Sequence, residues 1–403
     1  MKKIKNNIMS IIYTILVGSI AGSIIWLFLK VMSLGIEFFW EYLPEKTNFK
    51  YYTIVVCLIG GIIIRLWKWK FGESPEELED VVKKIKKDKR YPYNNIFSSI
   101  GSALFPLVIG ASIGPEAGLT GIIAGLCTWV GDKLKHFTKE VQELTSIGVT
   151  ATLGTIFRSP MFGFIEPLES EEETKLPKTS KLILYFTAIL SSFGIFILLN
   201  KLVGGETGMP STGKASFNNL NYLYIVFLAI IGIILGYIYF ISHKLVKVLL
   251  KPINNNIFIK CTIGGLILGI IGTLLPLTMF SGEEQILIIL EEGTEIGIVV
   301  LILTSIIKII LTNICIESGL KGGHFFPMIF SGIAFGYAMS LILNMDPVIS
   351  MAIVTSSFLS NIMKKPLAVV LLLMIVFPAN LIPIMLGSSI IASLFKNPKI
   401  LEN

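Results

Sequence analysis

Charge is scarce in this sequence, and so are the residues that usually mark a catalytic or metal centre. Only 15% of the 403 residues are Asp, Glu, Lys or Arg, too few to cover the surface of a soluble domain. The three histidines, His136, His243 and His324, are too far apart to suggest a ligand cluster. Cys57, Cys127, Cys261 and Cys315 are scattered through apolar segments without C-x-x-C spacing. They are expected to be buried free thiols, neither a disulfide framework nor a metal site. No Walker phosphate loop, dinucleotide fingerprint, H-E-x-x-H or G-x-S-x-G motif occurs. Neither an enzyme nor a resident cofactor is expected.

What the chain has in quantity is apolar length. Hydrophobic residues make up 53% of it and its mean hydropathy is +0.76, which predicts an all-α, polytopic membrane protein. The first run, Ile8 to Met32, follows Lys2, Lys3 and Lys5. It is too long for a signal-peptide core and lacks a small-residue cleavage site, so it is expected as a retained span. Further apolar runs are Tyr51 to Trp67, Ile96 to Ile113, Ala117 to Trp129, Leu144 to Ile165 (interrupted by Pro160), Leu182 to Leu199 and Leu220 to Ile241. The second part of the chain adds Ile257 to Phe280, Ile296 to Ile316, Phe325 to Leu343, Val348 to Met363 and Leu367 to Phe395. Glu76 to Lys87 predicts a charged surface helix, and Glu283, Glu284, Glu291, Glu292 and Glu295 mark an expected acidic loop.

The expected division is a first membrane half, residues 1–242, a basic cytoplasmic connector, 243–256, and a second membrane half, 257–403. The chain stops at Asn403, so no soluble C-terminal domain is expected. Lysine and arginine concentrate at the N-terminus, at 65–90, in the connector (Lys244, Lys247, Lys251) and at the tail (Lys396, Lys399). These segments, and with them both termini, are expected on the cytoplasmic side of the cell membrane. The net charge of +7 thus reads as membrane orientation, and no nucleic-acid partner is expected.

The chain is organised around Gly110-Ala111-Ser112-Ile113-Gly114-Pro115-Glu116-Ala117-Gly118. Gly114 permits a turn and close approach, and Pro115 suits a helix start. A helix beginning there inside a membrane points unpaired N–H groups and partial positive charge at its surroundings, an anion site. A tight turn between two spans is the plain alternative. Several of the apolar pieces are short and broken by Gly or Pro, and such backbone survives at membrane depth only where protein or a cavity surrounds it. The breaks also recur. Gly114-Pro115 is followed by Phe157-Arg158-Ser159-Pro160, and Gly322-Gly323-His324-Phe325-Phe326-Pro327 by Met363-Lys364-Lys365-Pro366. The spacing from Pro115 to Pro160 is 45 residues and from Pro327 to Pro366 is 39, close enough to suggest a repeated unit around a midplane transport site.

These elements resemble the CLC family of chloride channels and proton-coupled chloride transporters. Gly322-Gly323-His324-Phe325-Phe326-Pro327 is similar to its G-G-I-F-A-P element, Phe157-Arg158-Ser159-Pro160-Met161-Phe162-Gly163 to its F-N-A-P-L-A-G element, and Gly114-Pro115 sits where the family has G-R-E-G-P. The resemblance implies two inverted halves, a homodimer with one pore per subunit, and a bound halide held by helix N-termini. It makes Ser74, Ile113, Gly114, Glu116, His324, Phe325 and Phe326 the candidate anion contacts, Ser74 through the weakly kept Gly72-Glu73-Ser74-Pro75-Glu76 stretch. The departures bear on mechanism. The family's gating glutamate falls at Ile113, its central tyrosine near Ile400, and its inner proton-transfer glutamate near Glu169 or Ser170.

Glu116 is then either a helix-start carboxylate that complements the dipole or a displaced gate at the anion site itself. His324 either strengthens anion binding or turns toward neighbouring protein while backbone N–H groups face the ion. Phe325 and Phe326 are expected as apolar walls with ligating N–H groups. Arg158 either pairs with Glu166 or Glu169 or draws anions inward. Lys364 and Lys365 attract anions to a vestibule or snorkel at an interface. Glu317 is a second relay candidate or an interfacial loop residue. The expected function is transport of small inorganic anions, channel-like or with altered proton coupling. The alternatives are a proton-coupled antiporter using Glu116 and a non-transporting membrane scaffold.

Overall fold

The computed structural model describes residues 2–47, 49–72, 76, 78–88, 90–93, 96–134, 141–166, 169, 179–205, 208–217, 222–253 and 257–396. Ser74, Ser170 and Ile400 lie outside the described residues. Among the described residues the regular elements are helices and no strand forms. The helices are α1 (Lys2–Glu37), α2 (Leu43–Thr47), α3 (Tyr52–Phe71), α4 (Leu78–Asp88), α5 (Ile96–Val108), α6 (Glu116–Leu134), α7 (Val141–Ile156), α8 (Pro160–Ile165) and α9 (Thr179–Val203). They continue with α10 (Tyr222–Leu250), α11 (Ile257–Leu274), α12 (Glu283–Ile296), α13 (Ile298–Ser318), α14 (Phe325–Leu343), α15 (Pro347–Met363), α16 (Pro366–Leu373) and α17 (Ile382–Leu394). Among the described residues, five stretches are long and apolar enough to cross a membrane: Ser10–Thr47, Leu182–Val203, Leu223–Ile253, Ile298–Ser318 and Phe325–Leu343.

The broken runs end where their punctuation dictates. Pro160, Pro347 and Pro366 each open a helix, a position where the missing N–H costs nothing. Asp346 caps α15 by accepting from the Ile349 N–H at 3.1 Å. Two expectations are corrected. The acidic loop is α12: its glutamates begin a helix whose Ile286, Ile289 and Gly293 are buried, and Glu283 and Glu284 in the first turn complement the dipole. Glu317 lies in the last turn of α13 rather than in a loop, 3.7 Å from His243. The segment set apart as a connector is helical from His243 to Leu250, as the end of α10.

The core is centred on α14 and α15, and α15 is buried from Val348 to Asn361, its serine hydroxyls satisfied by nearby carbonyls, as Ser350 is by Gly336 at 2.7 Å. It packs against α14, α10 and α17. Around this core α1 runs along α9 and α3 along α11. Gly61 and Gly265 let the backbones of α3 and α11 meet, since a methyl on Gly61 would lie 2.6 Å from the Cys261 carbonyl oxygen and one on Gly265 2.4 Å from that of Cys57. The repeated punctuation shares a conformation as well as a sequence pattern. Arg158 and Lys364 have φ of 47° and 56°, and the residues that follow, Ser159 and Lys365, have φ/ψ of −125°/88° and −129°/79°. The short helices these turns introduce, α8 and α16, pack together, and the Ser159 hydroxyl donates to the Leu371 carbonyl at 2.7 Å.

Candidate functional site

Gly114 and Gly323, distant in sequence, pair directly. The Gly114 N–H donates to the Gly323 carbonyl at 2.7 Å and the Gly323 N–H to the Gly114 carbonyl at 2.8 Å. This antiparallel bridge lies just ahead of two helices, α6 and α14. Their starts therefore meet in the buried interior, where unpaired N–H groups and two positive dipole ends converge. Small residues are required on both sides. A methyl on Gly323 would overlap the Glu116 carboxyl group, one on Gly114 would overlap the same carboxyl and approach the Phe326 ring, and one on Gly322 would press on Ile113.

The junction is filled by a side chain from within it. Glu116, the first residue of α6, is fully buried. Helical side chains tilt toward the N-terminus of their helix, so its carboxyl reaches back past Pro115. Oε1 accepts the Phe325 N–H at 2.8 Å. The other oxygen, Oε2, has no hydrogen-bond partner among the described residues. The arrangement holds a negative group against the opening turn of α14, as a helix start holds an anion.

The structure brings Ile113, Gly114, Glu116, His324, Phe325 and Phe326 together. Ile113 is fully buried against Gly322; it is a wall and carries no exchangeable proton. His324 turns toward protein, its ring 5.4 Å from Tyr239 and 4.5 Å from Phe325. Phe326 stacks on Phe157 at 5.0 Å and 12°, and Phe325 meets Phe157 edge-on at 6.0 Å. Both act as apolar walls, and the backbone of Phe325 supplies the donor.

Glu169 is placed elsewhere. Its two oxygens accept from the N–H groups of Leu367, at 2.9 Å, and Ala368, at 2.7 Å, so it caps α16. Glu166 forms an ion pair with Lys365, and Lys364 donates to the Phe395 carbonyl. Arg158 lies over the Phe196 ring at 5.4 Å and lines a small cavity together with Glu283.

Two ionisable residues near the junction were not singled out in the sequence as site residues. Lys308, fully buried in α13, points its ammonium at the carbonyls of Thr278 (3.0 Å), Met279 (2.9 Å) and Phe280 (3.1 Å) and lies 4.7 Å from the centre of the Phe330 ring. The segment it holds is joined to the junction, since the Phe280 N–H donates to the Gly110 carbonyl at 3.0 Å. One turn further along α13, Thr312 meets Ser112, hydroxyl to hydroxyl, at 3.1 Å. A lone lysine within an apolar run was the available signal. The second residue is Glu283, which borders two cavities, the smaller of them lined also by Phe326.

Helix starts from distant parts of one chain, meeting around a buried carboxyl group inside a bundle of apolar helices, define a polytopic membrane protein. The family model described as voltage gated chloride channel matches residues 55–397, and the chain belongs to that family. Its fold is similar to the crystal structure of a slow cyanobacterial Cl⁻/H⁺ antiporter, with a TM-score of 0.78 at 20% identity over 96% of this chain and 93% of that one. It is also similar to a CLC-type fluoride/proton antiporter, with a TM-score of 0.73 at 19% identity over 96% and 95%. For a eukaryotic CLC transporter the TM-score is 0.68 at 16% identity, over 98% of this chain and 73% of that one.

Proposed function

We propose that this protein moves small inorganic anions, chloride or another halide, across a membrane through the junction of α6 and α14, and that protonation of Glu116 controls access to the site. One observation carries this: the Glu116 carboxyl accepts the Phe325 N–H at 2.8 Å. A halide and an ionised carboxylate compete for the same donor, and both cannot occupy it at close range. Protonation removes the charge of the competitor, and the side chain then yields its place to the ion. Ile113, where the family has its gating glutamate, is locked against Gly322 and takes no part in proton exchange. A bound halide, rather than any cofactor, is the expected occupant.

The membrane division follows the same reading, with halves 1–242 and 257–403, cytoplasmic termini, a cell-membrane location and a homodimer. Purified protein in liposomes tests the central claim. Wild-type protein should release chloride faster as pH falls, whereas Glu116→Gln should release it at a rate that no longer depends on pH. A wild-type rate that is flat with pH, or a Glu116→Gln rate that keeps the wild-type profile, refutes it.

A further inference from the structure

We propose that the basic end of α4, together with the helix ends beside it, is a platform that binds the headgroups of anionic phospholipids. The argument starts from α3. Val55, Ile59, Ile63 and Leu66 are exposed, and their spacing of three and four residues puts them on one face of the helix. A continuous apolar face of this kind is a surface for lipid. It runs out at Trp69, 75% exposed, and Lys70, also exposed. Apolar side chains, then an indole, then an ammonium is the order met in passing from hydrocarbon into the headgroup layer. The end of α3 therefore lies at headgroup depth.

Hydrogen bonds hold the neighbouring helix ends to one another. The Trp67 indole N–H donates to the Ser98 carbonyl at 3.1 Å and the Ser98 hydroxyl to the Phe71 carbonyl at 3.3 Å. These bonds tie the start of α5 to the end of α3, where Phe97 stands 88% exposed. The chain between α4 and α5 is tied to the end of α6. The Tyr91 N–H donates to the Thr128 hydroxyl at 3.0 Å, the Tyr93 hydroxyl donates to Asp132 at 3.0 Å, and Arg90 pairs with Asp132. Trp129 and Lys133, both exposed, stand on that end of α6. The segment that contains α4 thus runs from one fixed helix end to another.

The amphipathic pattern of α4 decides which of its sides is open. Leu78, Val81 and Ile85 are buried, and the helix packs against α6 and α7, so its apolar face is taken up by protein. Lys83, Lys84 and Lys87 are exposed. Residues 83–90 contain six Lys or Arg and one acidic residue, Asp88, the density at which a basic segment beside a membrane attracts anionic lipid. The acidic residue Asp80 lies in the first turn of α4, away from this basic end. Glu76 pairs with Lys84 as Asp132 does with Arg90; exposed pairs of this kind are weak, and a lipid phosphate exchanges with the carboxylate. In the bound arrangement the rings of Trp69, Phe97 and Trp129 meet the upper acyl chains, and the lysine ammonium groups reach the phosphates. None of this depends on Glu116 or on the ion that is moved.

Full-length protein in phosphatidylcholine vesicles with brominated phosphatidylglycerol as the minor lipid tests the platform. Bromine quenches tryptophan fluorescence on close approach, and Trp69 and Trp129 are the exposed tryptophans. At equal mole fraction, brominated phosphatidylglycerol should quench more than brominated phosphatidylcholine. Lys83→Gln/Lys84→Gln/Lys87→Gln should reduce that preference at least about fivefold, the effect of a single lysine near an anionic surface. Lys247→Gln/Lys251→Gln, near the end of α10, should keep it. Sodium chloride at about 1 M, where charges are screened beyond about 3 Å, should remove most of it, and this measurement needs no variant. Equal quenching by the two lipids overturns the proposal, as does a preference that survives the triple substitution or the salt. A preference that persists in Trp69→Phe/Trp129→Phe places the anionic lipid elsewhere and overturns it too. Displacement of the brominated lipid by inorganic phosphate at matched ionic strength would mark a site for free phosphate, and displacement by polyglutamate a site for an acidic protein; either result overturns the assignment to lipid.

Discussion

Replacing Glu116 with alanine should tighten halide binding, and the structure sets the size of the effect. In the wild-type protein the ion must displace a carboxylate whose Oε1 accepts the Phe325 N–H at 2.8 Å. A hydrogen bond to a charged group contributes about 1.5–3 kcal/mol. With about 1.4 kcal/mol for each factor of ten in affinity, its removal should lower the halide Kd by about 10- to 100-fold. Part of the gain is independent of the bond itself, because the truncated side chain no longer places a negative charge beside the ion. Glu116→Gln, which keeps the shape and loses the charge, should fall between wild type and Glu116→Ala. Titration calorimetry of detergent-solubilised protein with chloride, bromide and fluoride measures all three. Wild-type affinity should rise as pH falls, because protonation discharges the competitor, and the alanine variant should show no such trend. A Kd for Glu116→Ala equal to that of wild type, with the protein folded and monodisperse, refutes the claim that carboxylate and ion share one place.

Three further outcomes follow from the same geometry. Gly323→Ala puts a methyl where the Glu116 carboxyl lies, so chloride release should lose its pH dependence in the liposome assay while Gly322→Ala, which presses on Ile113, keeps it. Lys308→Met leaves the carbonyls of Thr278, Met279 and Phe280 without their ammonium donor. At about 0.6–1 kcal/mol for each, it should destabilise the protein by about 2–3 kcal/mol; thermal unfolding in detergent reads this, and Lys308→Arg should recover most of it. Glu169→Ala removes the acceptor at the start of α16 and should lower stability by about 1 kcal/mol, with little change in halide Kd.

How much was legible depended on whether the signal was local. The starts of α14, α15 and α16 are written in the chain, as a glycine pair before Phe325, an Asp-Pro step at 346–347 and a proline at 366, and there expectation and structure agree to within one residue. The repeat of Arg158-Ser159-Pro160 in Lys364-Lys365-Pro366 was visible as spacing, and its matching dihedrals give that spacing a physical meaning. The acidic segment at 283–296 was misjudged because charge density outweighed the spacing of Ile286, Ile289 and Gly293, which packing favours once α14 is beside it. Lys308 and Glu283 owe their environment to carbonyls and cavities contributed by segments remote in sequence, which no local pattern encodes. The ambiguity over Glu166 and Arg158 had the same source, since Lys365, the residue that takes Glu166, is 199 positions away.

The placement of isoleucine at 113 and glutamate at 116, on either side of Pro115, has a geometric explanation that ties the site to its fold. A residue just before a helix start has the turn itself between its side chain and the opposing helix, and at 113 that space is filled by Ile113 against Gly322. A residue in the first turn projects backward, toward the helix N-terminus, so a glutamate at 116 delivers its carboxyl to the region in front of the turn. This works only if nothing stands between the two helix starts, which is why glycine is needed at both 114 and 323: the bridge between them brings the backbones together, and the missing side chains leave the volume the carboxyl occupies. A carboxylate in the first turn of α6 therefore lies at the meeting point of α6 and α14, in the volume that the two glycines leave open. If this account is right, placing a glutamate at 113 in a Glu116→Ala background will not restore pH-dependent chloride release, because a side chain at 113 is held against Gly322 and away from the Phe325 N–H. Ile113→Glu/Glu116→Ala protein with a full wild-type pH profile would show instead that the turn is loose enough to present either residue.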